Sequence, residues 1–432
     1  GQPEVLWERT MHNYAIAESP LGIERVDALV SGAGPAGLAA AVRLRENGIE
    51  NIVVLEREPA PGGILRQCIH DGFGLIRFKE KLSGPEYSQR FIDQLKERRI
   101  RLITSAMVIG ITPDKLVTAS SRTGLLKFQA KAIILAMGCR ERTRGALAIP
   151  GSRPAGIFTA GVAQSYINLK NIMIGRQAVI LGSGDIGMIM ARRLTLEGCR
   201  VLAVIEKLPY PSGLARNVEQ CLNDYQIPLY LSHTVTNIEG QTRLTAVTVS
   251  ALTESGEIIP GSETRYDCDT LILSVGLIPE NELSLQMGVC LDPQTGGPVV
   301  DNHYQTNVAG VFAAGNVLHV HDLVDNVSIE SERLADSVAR YVREGGLPPA
   351  TVRVTGDGSL GHLAPQLLSR EQGATISFRA ARPLRDAVVA LKQDGEIIKE
   401  KRFKRLTPPE MESFSLKAGE LKNNHEITVM VK

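Results

Sequence analysis

The chain has 432 residues, 43% hydrophobic and 22% charged, with a net charge of +1. Such a length is too great for one ordinary core and predicts two or three domains. The near-zero charge argues against nucleic acid or an anionic membrane as the main partner, and 4% aromatic residues argue against a base-stacking surface.

Residues 1–25 are expected to form an N-terminal arm; they hold the single tryptophan, Trp7, and no identifiable chemistry. No apolar run reaches the length of a membrane span and no secretory h-region is present, so a cytoplasmic protein with no transmembrane segment is expected. The six cysteines, Cys68, Cys139, Cys199, Cys221, Cys268 and Cys290, form no C-x-x-C pair and no zinc-finger spacing. Scattered thiols of this kind fit a reducing compartment.

The first strong signal is VDALVSGAGPAGLAAAVRLRENGIENIVVLERE. A short buried strand ends at Gly32, Gly34 and Gly37, an alanine- and leucine-rich helix follows, and a second strand closes on Glu56. The glycines allow a tight turn, close approach of a pyrophosphate and close helix–strand contact, while the helix N-terminus meets the phosphate charge. Glu56 lies 19 residues past Gly37, where a carboxylate can hold ribose hydroxyls. Next comes PGGILRQCIHDGF, in which Cys68 stands alone between Arg66 and His70. Two readings of this loop stay open: polar lining supplied by Arg66, Gln67 and His70, or a Cys68 thiolate that cycles through sulfenic acid. KAIILAMGCRERT then reads as an apolar strand running into Met137–Gly138.

The glycine pattern recurs in QAVILGSGDIGMIMARRLTLEGCRVLAVIEK, with Gly182, Gly184 and Gly187, and Glu206 again 19 residues past the last glycine. A carboxylate there accepts from the adenosine 2′-hydroxyl and repels a 2′-phosphate, which favours NADH over NADPH. Nearby Arg192, Arg193 and Lys207 weigh against that preference. TNVAGVFAAGNVLHVHD supplies another strand, ending at Gly315–Asn316, and Ser328 is a candidate cap for a helix over Ile329–Tyr341. His319, His321 and Asp322 invite a metal reading, but without a third ligand group at fixed spacing loop hydrogen bonding is expected and no metal. Beyond Pro348–Pro349, ATISFRA and EITVMVK alternate apolar with polar residues and Asp394–Gly395 marks a hairpin. A small β domain over 350–432 follows, with KEKRFKR as a solvated basic strand.

These motifs, in this order, resemble the two-dinucleotide FAD/NAD(P) oxidoreductases of the pyridine nucleotide-disulfide type over roughly residues 26–345. The resemblance implies an α/β fold of two Rossmann-like three-layer domains. The FAD domain comprises 26–155 and 275–345, the NAD(H) domain is inserted as 156–274, and SVGLIPENEL is the returning crossing. It implies FAD contacts from Gly32, Gly34, Pro35, Ala36, Gly37, Glu56, Arg57, Gly63, Ile64, Arg66, Met137, Gly138, Gly315 and Asn316. NAD(H) would fall to Gly182, Gly184, Asp185, Ile186, Gly187, Glu206 and Gly276. Two departures stand out. Asn316 occupies a position usually held by aspartate, and the disulfide reductases' C-x4-C positions, counted from Gly62–Gly63, hold Leu65 and His70.

GGILRQCIHDGFGL, GSGDIGMIMARRL, PSGLARNVEQCLNDYQIPLYLSHTV and GNVLHVHDLVD look similar to the NADH-oxidase-like subunit that accompanies glycerol-3-phosphate dehydrogenase-like flavoproteins. More distantly they resemble the α subunits of amino-acid, opine and proline dehydrogenases and of hydrogen cyanide synthase. That likeness implies an FAD-dependent NADH:acceptor oxidoreductase, with electrons leaving to oxygen, a dye or a partner dehydrogenase subunit. Expected partners are a small iron- or cysteine-containing carrier and that flavoprotein subunit, with a homo-oligomer as a further expectation. The alternatives are a Cys68-dependent reductase or peroxidase, with Cys68 and His70 the only candidate catalytic side chains, and an assembly subunit whose flavin is structural. Deleting 350–432 is expected to abolish partner binding and spare NADH oxidation.

Overall fold

The computed structural model describes residues 22–432; the arm expected over 1–25 lies almost entirely outside them. The strand Glu24–Ser31 pairs in parallel with Ile52–Leu55 on one side and with the end of Gly124–Leu135 on the other. Arg101–Ile103 extends this sheet at one edge, and Val311–Ala313 joins it beside Ile133–Leu135. Strands such as Ala28–Val30 and Val53–Val54 are buried on both faces, which is why they read as unbroken apolar runs rather than alternating ones. Helices Pro35–Glu46, Gly84–Glu97 and Val324–Glu344 flank the sheet. The start of Gly124–Leu135 pairs antiparallel with Leu116–Ser121, and that strand with Ala106–Ile111.

A second parallel sheet runs in the order Ile157–Thr159, Thr270–Leu273, Gln177–Leu181, Arg200–Glu206, Leu229–Leu231. Helices Ala160–Asn168 and Asp185–Leu196 bury Ala163, Met190 and Leu194 with Ile180 and Ile272 of this sheet. Val179, Ala203 and Leu271 cluster with Val235, Val247 and Val249 of the antiparallel strands His233–Gly240 and Leu244–Ala251. The chain crosses between the two sheets on a two-stranded ribbon, Leu277–Pro279 against Cys139–Glu141.

The remaining strands, from Val352 to Val431, form two sheets around Ile376, Phe378, Val389, Leu391, Ile427 and Val429. ATISFRA alternates buried and half-buried residues as a one-sided strand must. Asp394 and Gly395 both have positive φ, 53° and 79°, the type I′ pattern that joins Leu384–Gln393 to Glu396–Leu406. In the basic strand, Lys399 and Lys401 pair with Glu420 and Glu412, so much of its charge is spent on its own domain.

Ser328 is not a helix cap. The helix starts earlier, at Val324, and runs to Glu344, leaving Ser328 buried in its second turn as a hydrogen-bond partner of the Tyr87 hydroxyl at 2.8 Å. The first turn instead carries Asp325, which accepts from the Gly74 and Arg77 amides at 3.1 and 2.8 Å. Among the described residues no helix is long and apolar enough to cross a membrane.

Candidate functional site

Both glycine turns sit at the C-terminal ends of their parallel strands, where a helix N-terminus faces the crevice. At the first turn Pro35 occupies the opening of the helix, where its missing N–H costs nothing. Ala36 is buried, and a Cβ on Gly37 would overlap the Gly32 carbonyl oxygen. Glu56, only 6% exposed, ends the second strand; Oε2 accepts from the Ala33 amide and Oε1 from the Glu58 amide, both at 2.8 Å. The loop from Gly62 folds back on this turn through Gly62 N–H to Ala33 O at 2.8 Å, and a Cβ on Gly63 would sit 2.9 Å from the Gly34 Cα. A backbone cradle this bare, with a buried carboxylate at the strand end, fits the pyrophosphate and ribose of a dinucleotide.

Ile64 is exposed and Arg66 half-buried on the same loop, while Arg57 points outward beside Glu58. Half-buried Met137 and Gly138 follow the central strand. Gly315 lies against Ala36: a Cβ on it would be 2.8 Å from the Ala36 methyl. The Asn316 amide turns into its own surroundings, with Oδ1 accepting from the His321 amide at 3.0 Å and Nδ2 3.6 Å from the Cys139 sulfur. The structure thus gathers Gly32–Gly37, Glu56, Gly63 and Gly315 around one crevice, and leaves Arg57 at the periphery.

The second turn repeats the device with tighter self-contact. Glu206, 4% exposed, accepts from Ser183 N–H (3.0 Å), the Ser183 and Ser212 hydroxyls (2.6 and 2.8 Å) and Leu208 N–H (2.9 Å). Asp185 accepts from the Leu214 amide at 2.8 Å and from the Asn217 side chain at 2.6 Å, anchoring the loop after Glu206. Ile186 packs half-buried in the core beneath it, and the Gly187 amide donates to the Ser274 hydroxyl at 3.1 Å. Gly276, with φ 104°, follows where the chain leaves the sheet. Ser183, Ser212 and Ser274 escaped the sequence reading because serines near a glycine turn carry no spacing signal of their own.

Cys68 is free, as are the other five cysteines. Its sulfur faces the Ile64 carbonyl at 3.3 Å, and burial pushes the thiol up to about 12. A thiol in that state is a poor nucleophile at neutral pH, which weighs against the Cys68 peroxidase reading. Burial also lowers the His70 pKa, Arg216 and Arg192 push the same way, and the ring lies 5.0 Å from that of Phe73. Gln67, by contrast, ties this loop to the second sheet's helix: Nε2 donates to Gly161 O at 2.8 Å and to Gln164 Oε1 at 3.1 Å.

The histidines of VLHVHD gain partners that the sequence could not reveal. His319 Nε2 is 2.6 Å, and His321 Nε2 3.4 Å, from Oε2 of Glu330, and His319 Nδ1 is 2.7 Å from Nε2 of His362 in the β domain. Glu330 is thus the third potential ligand group that the spacing of the sequence did not offer, with the three ligand atoms within 4.8 Å of one another, while the His319–Glu330 spacing is that of a hydrogen bond. Burial works to raise the Glu330 pKa, but His319 and His321 outweigh it and hold the carboxyl well below its usual range. Asp322 belongs to a different contact, 3.6 Å from Arg379.

Comparison with known proteins agrees with this geometry. The profile described as pyridine nucleotide-disulphide oxidoreductase matches residues 26–335. An opine oxidase subunit of Agrobacterium tumefaciens is 28% identical over 67% of this chain and 61% of its own length. The HcnB subunit of hydrogen cyanide synthase from Pseudomonas protegens is 27% identical over 60% and 58%. The chain therefore spans about three fifths of these two relatives. Thioredoxin reductase of Listeria monocytogenes is 26% identical over 67% of this chain and 85% of its own. The crystal structure of T. acidophilum thioredoxin reductase superposes with a TM-score of 0.61 at 23% identity, covering 73% of this chain and 98% of that one, and so shares the fold. With two glycine turns, two buried carboxylates and that match across both sheets, the chain belongs to the pyridine nucleotide-disulphide oxidoreductase family of FAD- and NAD(P)H-using oxidoreductases.

Proposed function

We propose that the protein is an FAD-dependent NADH:acceptor oxidoreductase that releases electrons without an internal disulfide, to oxygen, a dye or a partner dehydrogenase subunit. In this reading 26–155 with 275–345 hold FAD, and 156–274 hold NAD(H). The observation that carries it is the pairing of two dinucleotide cradles, each closed by a buried glutamate, with six cysteines that are all unpaired. FAD, when bound, supplies the hydride-accepting ring. The chain's own work is positional. Glu56 and the Gly32–Gly37 turn hold one ribose and pyrophosphate, and Glu206 with the Gly182–Gly187 turn holds the other. Glu206 favours NADH because a buried carboxylate repels a 2′-phosphate.

Two relatives whose names mark them as subunits, one of opine oxidase and one of hydrogen cyanide synthase, support a partner for this chain. Oxidation of glycerol 3-phosphate by such a partner, with an iron- or cysteine-containing carrier between, is the physiological setting we favour. The deciding experiment is anaerobic mixing of the purified yellow protein with NADH. Bleaching of the flavin absorbance, followed by return of colour on adding a dye, is the expected result. A flavin that stays oxidised in folded protein leaves only the structural-flavin reading standing.

A further inference from the structure

The β domain reaches the crevice through a chain of buried hydrogen bonds. Glu330, 7% exposed, lies on the helix behind the Gly315 turn; its Oε1 accepts from the Gly315 amide at 2.9 Å. Its Oε2 faces His319 Nε2 at 2.6 Å, and His319 Nδ1 faces His362 Nε2 at 2.7 Å. An ionised carboxylate can only accept, so His319 donates from Nε2; a neutral His319 then accepts at Nδ1 and His362 donates from Nε2. The direction of the whole series follows: His362 to His319 to Glu330, with Gly315 N–H donating to the far oxygen.

Two further groups of the same domain hold this segment. Arg379, paired in register with His362 on the neighbouring strand, donates to the Val320 carbonyl at 2.9 Å and lies 3.6 Å from Asp322. The His362 ring meets the His319 ring edge to edge along this bond, 4.9 Å between centroids and tilted by 31°. Gly315 has no slack of its own, because it is left-handed, with φ 74°, and wedged against Ala36 of the first glycine turn. A shift of Glu330 would therefore move the Gly315 amide against the first cradle.

We propose that His362 is a positioning residue for the dinucleotide crevice, setting the Gly315 turn through His319 and Glu330 and making the β domain part of the flavin site. The proposal rests on the reading that this crevice holds FAD. Wild-type protein that purifies yellow and is bleached by NADH secures that reading independently.

The test is flavin reconstitution of the full-length chain with His362→Phe and His362→Gln. Phenylalanine keeps a planar ring beside His319 and removes the donor, whereas glutamine restores an N–H close to the Nε2 position. The expected result is FAD binding weakened tenfold or more and a shifted flavin absorbance band in H362F, with H362Q within threefold of wild type. Wild-type affinity and spectrum in folded H362F overturn the proposal, and so does a loss in H362F that H362Q fails to rescue, which would point to packing alone. If H362F does not fold, Glu330→Leu decides. Leucine comes close to the buried volume and accepts from neither Gly315 nor His319, so an unchanged flavin affinity and spectrum in E330L would overturn the proposal.

Discussion

At the scale of single residues, one glutamate and one cysteine carry separate consequences. On the proposed reading, Glu206→Ala removes the buried charge that would oppose a 2′-phosphate. The ratio of kcat/KM for NADH to that for NADPH should fall at least about tenfold, or ~1.4 kcal/mol in transition-state binding. Initial rates with both nucleotides measure it. Cys68 makes the opposite prediction. Its thiol is raised to about 12, above the ordinary value, so the thiolate fraction near pH 8 is small and grows only as pH climbs toward that value. Iodoacetamide at pH 8 should modify exposed Cys290 well before Cys68, as read by mass spectrometry of the digest. Cys68→Ser should leave dye-linked NADH turnover within about twofold of wild type; a loss of tenfold or more would restore the thiol to the mechanism.

At the scale of elements, the helix Val324–Glu344 shows how much a local pattern can miss. Serine before an apolar run is a fair cap signal, yet Ser328 lies inside the helix, because Asp325 in the first turn finds two loop amides only in the folded chain. Those bonds pin the Gly74–Arg77 loop. Asp325→Ala should cost about 2–3 kcal/mol in urea unfolding, the scale for losing hydrogen bonds to a buried charge. It should also open Arg77 to trypsin. Composition alone makes the β tail look like a detachable docking module. It is instead tied to the preceding chain by Asn302 to Ser369 O at 3.0 Å, Val300 to Gln366 at 3.0 Å, and the contacts of His362 and Arg379. Deletion of 350–432 should therefore lower FAD content in the purified protein together with NADH oxidation, measured by flavin release and dye reduction.

For the whole molecule, two sheets with parallel cores and a β domain pack together, and the proposed dinucleotides would lie at the C-terminal ends of the parallel strands. A ligand that binds only the folded state stabilises it by RT ln(1 + [L]/Kd), about 4 kcal/mol at a thousandfold excess over Kd. Stripping FAD should lower the melting temperature of the full chain, and adding it back should restore both colour and melting temperature. An apoprotein that melts with the holoprotein would show that the cofactor does not knit the parts together.

What the sequence by itself determined is whatever repeats at short range. Glycine spacing, alternation of apolar residues, and a glutamate a fixed distance after the last glycine are consequences of backbone sterics and strand geometry, so they can be read from the order of residues alone. Both nucleotide turns, the inserted parallel sheet and the β tail were legible for that reason. The pairing of His319 with Glu330 and His362, of Asp325 with the Gly74 loop, and of Gln67 with Gly161 was decided only by the tertiary structure. In each, a buried polar group must find its partner from a distant segment, and burying that group unpaired would cost a few kcal/mol. No spacing rule announces which distant residue will answer.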